Sequence, residues 1–444
     1  MGDRRQEGRH MGEEGLMRVG GWVSEVRTLG RNLRFVVLRG WGRTVQLTLK
    51  RGLVPDELFE ITEDLTQESV VEAYGRPVKE KIAKSADVEL IPERIVVHSV
   101  AARSLPLDPN WKVKALLPTR LDNRPLDLRR PEVQAVFKVT ASLVRGMRDW
   151  LDSHGFIEVF TPSIIGAYSE SGAEVFRVDY FGRPAYLRQD PQLHRQLTIL
   201  GGFERIYDLG PNWRADPSHT TRHLSEFRSL AVEMAFIRDE RDVMRVEEEV
   251  IRAGVERVVE ERWRELELLG VDLEVPETPF PEVRFPEVYD ILSEMGKEIE
   301  YGGDYDTESE RLLWEYVREK YGSDFLFVNR FPFDAKPFYV MKAEPFELGG
   351  ETKWWARSVD LIYRGLELSS GGQREHRYEV LLEQVREKGM NPEQVMWFVE
   401  FFKYGAPPHG GFAVGIERLV MQMLRLENVR EAALFPRDAS RVMP

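Results

Sequence analysis

The chain has 444 residues, of which 42% are hydrophobic, and a formal net charge of -13. That length suggests two or three domains, and an acidic total argues against indiscriminate nucleic-acid binding while leaving room for a local basic face. The sequence has no cysteine, which excludes disulfides and cysteine-held zinc and suggests a reducing cytoplasmic setting, and no run of 18 apolar residues that would span a membrane.

Residues 1–16 are polar and glycine-rich, lack the apolar segment of a signal peptide, and are expected to form a flexible tail. Residues 17–103 carry short alternating segments such as "NLRFVVLRG" and "RTVQLTLK", punctuated by Gly and Pro. Five such strands with a helical interruption near 55–64 predict a small barrel of the OB-fold type. Within it, residues 26–52 hold Arg27, Arg31, Arg34, Arg39, Arg43, Lys50 and Arg51 and no acid, a concentrated positive stripe. Residues 104–131 are proline-rich without periodicity and read as a hinge. A helix is predicted from Pro131 to near Gly155, followed by a strand in "FIEVFTP". The remainder, 132–444, alternates strands and helices, with one or two charged amphipathic helices over 240–268 and an α/β segment inserted around 270–345. The fold class is therefore α+β, a β-barrel followed by a sheet-and-helix domain.

Three stretches carry chemistry. "NWRADPSHTTRHLSEF", 212–227, sets Arg214, Arg222 and His223 around a loop between two apolar strands. A guanidinium is always charged and its fork fits phosphate oxygens, so a strand-loop-strand hairpin could aim these cations at one polyanion, with Phe227 stacking on a purine. A surface hairpin laced with ion pairs explains the same loop. "GGFAVGIERLVMQML", 410–424, places Gly410, Gly411 and Gly415 before Arg418 at the start of an apolar helix, where a ligand can approach closely and meet positive charge. A close-packed strand-helix turn is the structural alternative. "RGLELSSGGQREH", 364–376, offers Glu367 and Ser370 ahead of an expected glycine turn and Arg374. A carboxylate and a hydroxyl suit Mg²⁺ shared with phosphates; an edge strand with an ordinary ion pair is the alternative.

In order and spacing, these stretches resemble the motifs of the class II aminoacyl-tRNA synthetases. "RLDNRPLDLRRPEV", "YFGRPAYLRQDPQLHRQ", "KYGAPPHGGF" and "LFPRDASRVMP" extend the resemblance to aspartyl-tRNA synthetases of the archaeal and eukaryotic type, from about Val19 to Pro444. The resemblance implies a catalytic domain built on an antiparallel sheet flanked by helices, ATP and L-aspartate as substrates, Mg²⁺ as cofactor, tRNA(Asp) as partner, and a homodimer. It implies that Arg214 binds the α-phosphate, that Arg222, His223 and Arg418 hold the outer phosphates, and that Phe227 stacks on adenine. Arg214, Glu367 and Arg418 would be catalytic, with Ala215, Asp216, Leu224, Gly415, Ile416 and Glu417 completing the ATP site. Glu367 and Ser370 would hold the metal. Glu170, Gln192, Leu193, His194, Arg195, Arg214, Ser370 and Arg374 would form the aspartate site.

Four positions depart from the family pattern. Arg195 stands where lysine is usual, Asp190 where serine is usual, Asp216 where glutamate is usual, and Ala231 where an acid is common. The charge lost at 231 reappears at 190, and the expectation is that Asp190 compensates by pairing with Arg195. Two arginines beside the substrate side chain favour aspartate over the neutral amide of asparagine. At the RNA end, Phe35 and Gln46 match positions that read the central anticodon base by stacking and hydrogen bonding. Some family members charge tRNA(Asp) alone and others also charge tRNA(Asn); Ser24 and the loop with Lys84 and Ser85 bear on that choice, which the sequence leaves open. Two alternatives stand beside the synthetase reading. One is a paralogue with altered amino-acid specificity or a tRNA-independent amide-forming activity, motivated by the four departures. The other is a non-catalytic RNA-binding protein, which should have shed the phosphate-gripping arginines.

Overall fold

Alternation along the first five strands decides what they enclose. In β1 (Met17–Leu29), β2 (Leu33–Gly40), β3 (Arg43–Lys50), β4 (Val70–Pro77) and β5 (Val88–Ser99), Val19, Val36, Leu47, Val71 and Leu90 turn to one buried cluster. In the computed structural model these strands close into a barrel in the order β1-β2-β3-β5-β4, with a short helix, Asp56–Ile61, between β3 and β4. The structure describes residues 16–78, 86–108, 110, 113–166, 175–217 and 220–444. They form two units divided after Thr119.

The stretch read as a hinge, 104–131, does not stay apart from the second unit over its whole length. It contains the short helices Leu117–Asp122 and Arg124–Asp127. The fully buried Arg124 bonds Asp127 at 2.7 Å and the carbonyls of Ala433 and Leu434 at 2.8 and 3.0 Å. Proline density hid this anchoring, because a single buried arginine leaves no periodic signal.

The second unit is organised by one sheet. Its strands are β6 (Ile157–Glu158), then β10 (Arg205–Trp213), β11 (Glu226–Ala235), β12 (Glu282–Arg284), β13 (Phe325–Asn329), β16 (Ser358–Tyr363), β17 (Leu366–Arg374) and β18 (His409–Gly415). The order is β12-β13-β16-β17-β18-β11-β10-β6. The six central strands are antiparallel and the pairs at each edge are parallel, so the sheet is mixed only at its rims. The strand expected in "FIEVFTP" is the two-residue β6. The 270–345 segment supplies β12 and β13 and so continues this sheet. Smaller sheets join β7 (Ile164–Ile165), β8 (Arg177–Tyr180) and β9 (Arg183–Leu187), and pair β14 (Lys342–Leu348) with β15 (Glu351–Ala356).

One face of the sheet is covered by helices. Leu230, Val232 and Met234 of β11 share a core with Val139, Leu143 and Met147 of the helix Pro131–Ser153 and with Val250, Ile251 and Val255 of the helix Glu240–Glu261. The opposite pleats of β11 carry Ser229 and Glu233. With period-2 alternation, an apolar row facing helices leaves a polar row for a site on the other face.

Candidate active site

Glycines set the floor of the cavity on that face. The Gly371–Gly372 pair does not form the expected turn; it lies inside β17, between β16 and β18. A Cβ on Gly371 would come within 2.6 Å of the Gly411 carbonyl, and one on Gly411 within 1.9 Å of the Val232 carbonyl. Both contacts are to backbone, so the strands approach this closely only without side chains.

Above this floor lies a cavity of about 360 Å³ lined by Gln192, Arg214, Arg222, His223, Leu224, Phe227, Glu367, Ser370, Arg374, Gly415, Glu417 and Arg418. Arg214 directly follows β10, and Phe227 lies at the start of β11 with the Arg214 guanidinium 5.6 Å from its ring centre. Arg418 belongs to the helix Ile416–Met423, which β18 feeds through Gly415. Its Nη1 donates to the Glu367 carbonyl at 3.2 Å and its Nε to the Arg222 carbonyl at 3.3 Å. The three motifs thus meet at one arginine.

The electrostatics favour an anion beside a cation. His223 is held below its usual pKa by burial, then by Arg418 and Arg222, so it sits in an electropositive corner. Glu367 is pushed up to about 7, first by burial and then by the neighbouring Asp360. A buried acid crowded by another acid, with the Ser370 hydroxyl on the same strand, fits a hard divalent cation. Among the described residues no group of three or more His, Asp or Glu could hold a metal alone, so the set suits an ion shared with phosphates.

The residues expected to receive the amino acid form a buried network. Gln192 donates to Glu233 at 2.9 Å, and its Oε1 accepts from Arg195 at 2.7 Å and Arg374 at 3.2 Å. Arg374 also bonds Glu233 at 3.1 Å and the Gly411 carbonyl at 3.0 Å. The expected Asp190–Arg195 pair is present as a two-pronged contact at 2.9 and 2.6 Å. Arg195 is buried at 1% exposure and lies behind Asp190, which itself lines the cavity. Arg195 is therefore not an open grip for a substrate carboxylate.

Other expected contacts fall elsewhere. Leu193 packs in a separate core cluster with Phe333 and Phe398, and Ile416 in the main core, so neither side chain reaches the cavity. His194 lines a second cavity with Tyr186 and Trp397. On a helix, neighbours at i+1 and i+2 point away from the face that Gln192 and Arg195 share. Ala215 and Asp216 follow Arg214 without lining the cavity, although Asp216 still acts electrostatically on His223. Glu417 lines it, yet its carboxylate accepts the Arg228 backbone N–H at 2.9 Å. Glu170 lies outside the described residues, as do Lys84 and Ser85.

The cavity also includes residues that the motifs did not flag. Asn212 and Ser229 bond each other at 2.6 Å across β10 and β11, and alternation with Arg214 and Phe227 was a usable signal for them. Thr307 and Glu310 come from the 270–345 segment, far away in sequence.

In the barrel, Phe35 lies on the outer face with Gln46. Val36 and Leu38 take the interior, Phe35 pairs with Thr48, and Gln46 pairs with Val37. Phe35, half-buried and outside the barrel's core cluster, and Gln46, buried at 6% exposure, are diagonal neighbours on one face.

The model of the class II tRNA synthetases (D, K and N) matches residues 117–439, and that of the OB-fold nucleic acid binding domain matches 17–97. The aspartate–tRNA(Asp) ligase of Thermococcus kodakarensis is 45% identical, with 96% of each chain covered. The aspartate–tRNA(Asp/Asn) ligase of Methanopyrus kandleri is 47% identical, covering 98% of this chain and 96% of its own. Among solved structures, asparaginyl-tRNA synthetase from Pyrococcus horikoshii complexed with asparaginyl-adenylate matches with a TM-score of 0.86 at 32% identity, covering 97% of this chain and 96% of that one.

Proposed function

Because the chain belongs to the class II tRNA synthetases of the D, K and N group, we propose that it ligates L-aspartate to tRNA(Asp) through an aspartyl-adenylate formed from ATP. The observation that carries this reading is the convergence of Arg214, Arg222, His223 and Arg418 on one cavity that Gln192 and Arg374 also line.

A substrate α-carboxylate oxygen attacks the α-phosphorus, the bond to the bridging oxygen breaks, and pyrophosphate leaves with the electron pair. The terminal adenosine hydroxyl of tRNA then attacks the acyl carbon and AMP leaves. Charge neutralisation and alignment dominate such a reaction. Arg214 offsets charge on the α-phosphate; Arg222, His223 and Arg418 hold the leaving pyrophosphate; Phe227 stacks on adenine. Glu367 and Ser370 would hold Mg²⁺, which supplies positive charge against the phosphate oxygens when bound. Arg374 and Gln192 receive the aspartate side chain. Arg195 contributes through Gln192 and Asp190.

The barrel takes the anticodon, with Phe35 and Gln46 on its outer face as stacking and hydrogen-bonding groups. A homodimer is expected, in line with the 85% exposed Phe160 beside β6, an apolar side chain left for a partner copy. Relatives carry both the tRNA(Asp) and the tRNA(Asp/Asn) names, so both tRNAs belong in the assay.

The test is ATP–pyrophosphate exchange with aspartate, asparagine or glutamate added separately, followed by aminoacylation of both tRNAs. Exchange that depends on aspartate alone is expected. Exchange with asparagine or glutamate alone would sink the assignment and point to a pocket altered at Asp190, Arg195 and Ala231.

A further inference from the structure

One wall of the cavity is the first turn of the helix Thr307–Tyr321. This turn is firmly capped. The Asp306 side chain accepts the Ser309 N–H at 3.0 Å, and Lys297 bonds Asp306 at 2.6 Å and Glu308 at 2.7 Å. Two side chains leave it towards the cavity, at positions three apart and hence on one face. The Thr307 hydroxyl accepts a hydrogen bond from Nη2 of Arg222. The Glu310 carboxylate accepts the Glu367 backbone N–H at 2.9 Å.

These contacts close a circuit. Arg418 already bonds the Arg222 and Glu367 carbonyls. Through Thr307 and Glu310, the cation loop and the acid strand are tied a second time, to one capped helical turn. A guanidinium has five N–H donors, so one held by Thr307 orients the rest without using them up. Glu310 is buried at 8% exposure, so its carboxylate is a fixed tether.

We propose that this turn is a positioning element of the nucleotide site, in which Thr307 aims the Arg222 guanidinium at the outer phosphates and Glu310 fixes the backbone of Glu367. The inference rests on the assignment of this cavity to ATP. It does not depend on which amino acid is activated. Freed from Thr307, Arg222 is a flexible side chain on a loop, and ordering it becomes a cost of ATP binding.

The experiment is a calorimetric titration of Mg-ATP into the full-length protein, with the KM for aspartate measured in parallel by pyrophosphate exchange. Thr307→Val keeps the shape and removes the acceptor; it should weaken ATP binding about fivefold to tenfold and leave the KM for aspartate unchanged. Thr307→Ser should restore wild-type affinity. Glu310→Ala should weaken ATP binding, while Glu310→Gln, which keeps an acceptor for the Glu367 N–H, should retain most of it. Thr307 is exposed, so its variants do not burden the core. ATP affinity unchanged in Thr307→Val, or ATP and aspartate constants moving together, overturns the proposal, as does a wild-type protein that binds no ATP. If ATP binding follows the expected order while no amino acid supports exchange, the assigned reaction fails and the positioning role stands.

Discussion

Asp190 on the cavity lining and the buried Arg195 behind it neutralise each other, and the burial of Arg195 sets the cost of separating them. Removing one partner of a buried pair strands the other charge, so Asp190→Ala should lose roughly 3–5 kcal/mol of stability in denaturant titrations. Asp190→Ser should also raise the KM for aspartate, because Arg195 is then free to pull Gln192 out of its bridge to Glu233 and Arg374. An unchanged KM would remove the compensation between positions 190 and 231. Glu247, on the helix Glu240–Glu261, makes a different prediction. Burial pushes it up to about 8, and its Oε1 accepts a hydrogen bond from the Ser369 hydroxyl. The native state therefore keeps this proton at pH values where the unfolded chain has lost it. Its contribution is intact below the unfolded pKa near 4.5 and declines as pH rises towards 8, with a slope of at most about 1.4 kcal/mol per pH unit. Glu247→Gln should flatten that part of the stability–pH curve. Individual residues were legible where a charged type had no local reason to be there, as with Arg214, Arg222 and Arg418. Leu193 and Ile416 were not, because adjacency to a motif says nothing about which way a side chain turns.

Two long helices meet through glycines, which gives the element scale its own test. A Cβ on Gly146 of the helix Pro131–Ser153 would lie 2.6 Å from the Ala253 carbonyl and 3.0 Å from the Gly254 Cα of the helix Glu240–Glu261. Replacing a helical glycine by alanine gains up to about 1 kcal/mol of helix propensity. Overpacking against backbone costs about 1–3 kcal/mol, and neither contact can yield by rotating a side chain. Gly146→Ala should therefore lower the melting temperature, and a rise would show that the helices separate freely. At this scale the barrel strands and the helix from Pro131 followed directly from period 2 and period 3.6. The glycine pair in β17 reads as a turn in sequence because glycine breaks strands on average. Here the missing Cβ is what lets three strands come together. The role of the Thr307 helix was beyond local patterns, since only the folded sheet brings it to the 212–227 loop.

For the whole molecule, the two units imply separable functions. Phe35→Ala, on the outer face of the barrel, should weaken tRNA binding and leave aspartate-dependent pyrophosphate exchange untouched. Alanine substitution of a stacking aromatic costs about 1–3 kcal/mol per base, so the KM for tRNA should rise roughly fivefold or more. Loss of exchange in that variant would refute the division of labour. Because the chain's net charge is -13, tRNA affinity should reside in the local basic stripe and fall steeply as salt increases. Sedimentation should show a dimer, and Phe160→Asp should shift it towards monomer. The barrel was readable from sequence because its strands are contiguous, whereas the anchoring of Arg124 to residues 433 and 434 joins positions some three hundred apart and is a product of the finished fold.

The sheet beneath the cavity is main chain, crossed so tightly at Gly371, which lines the cavity, and at its neighbour Gly411 that even a methyl group meets a carbonyl. Such a surface cannot be retuned by point mutation. In an exhaustive substitution screen those two positions should tolerate nothing. Any lineage that drifts to a new amino acid must do so from the walls inward, over a floor that heredity leaves alone.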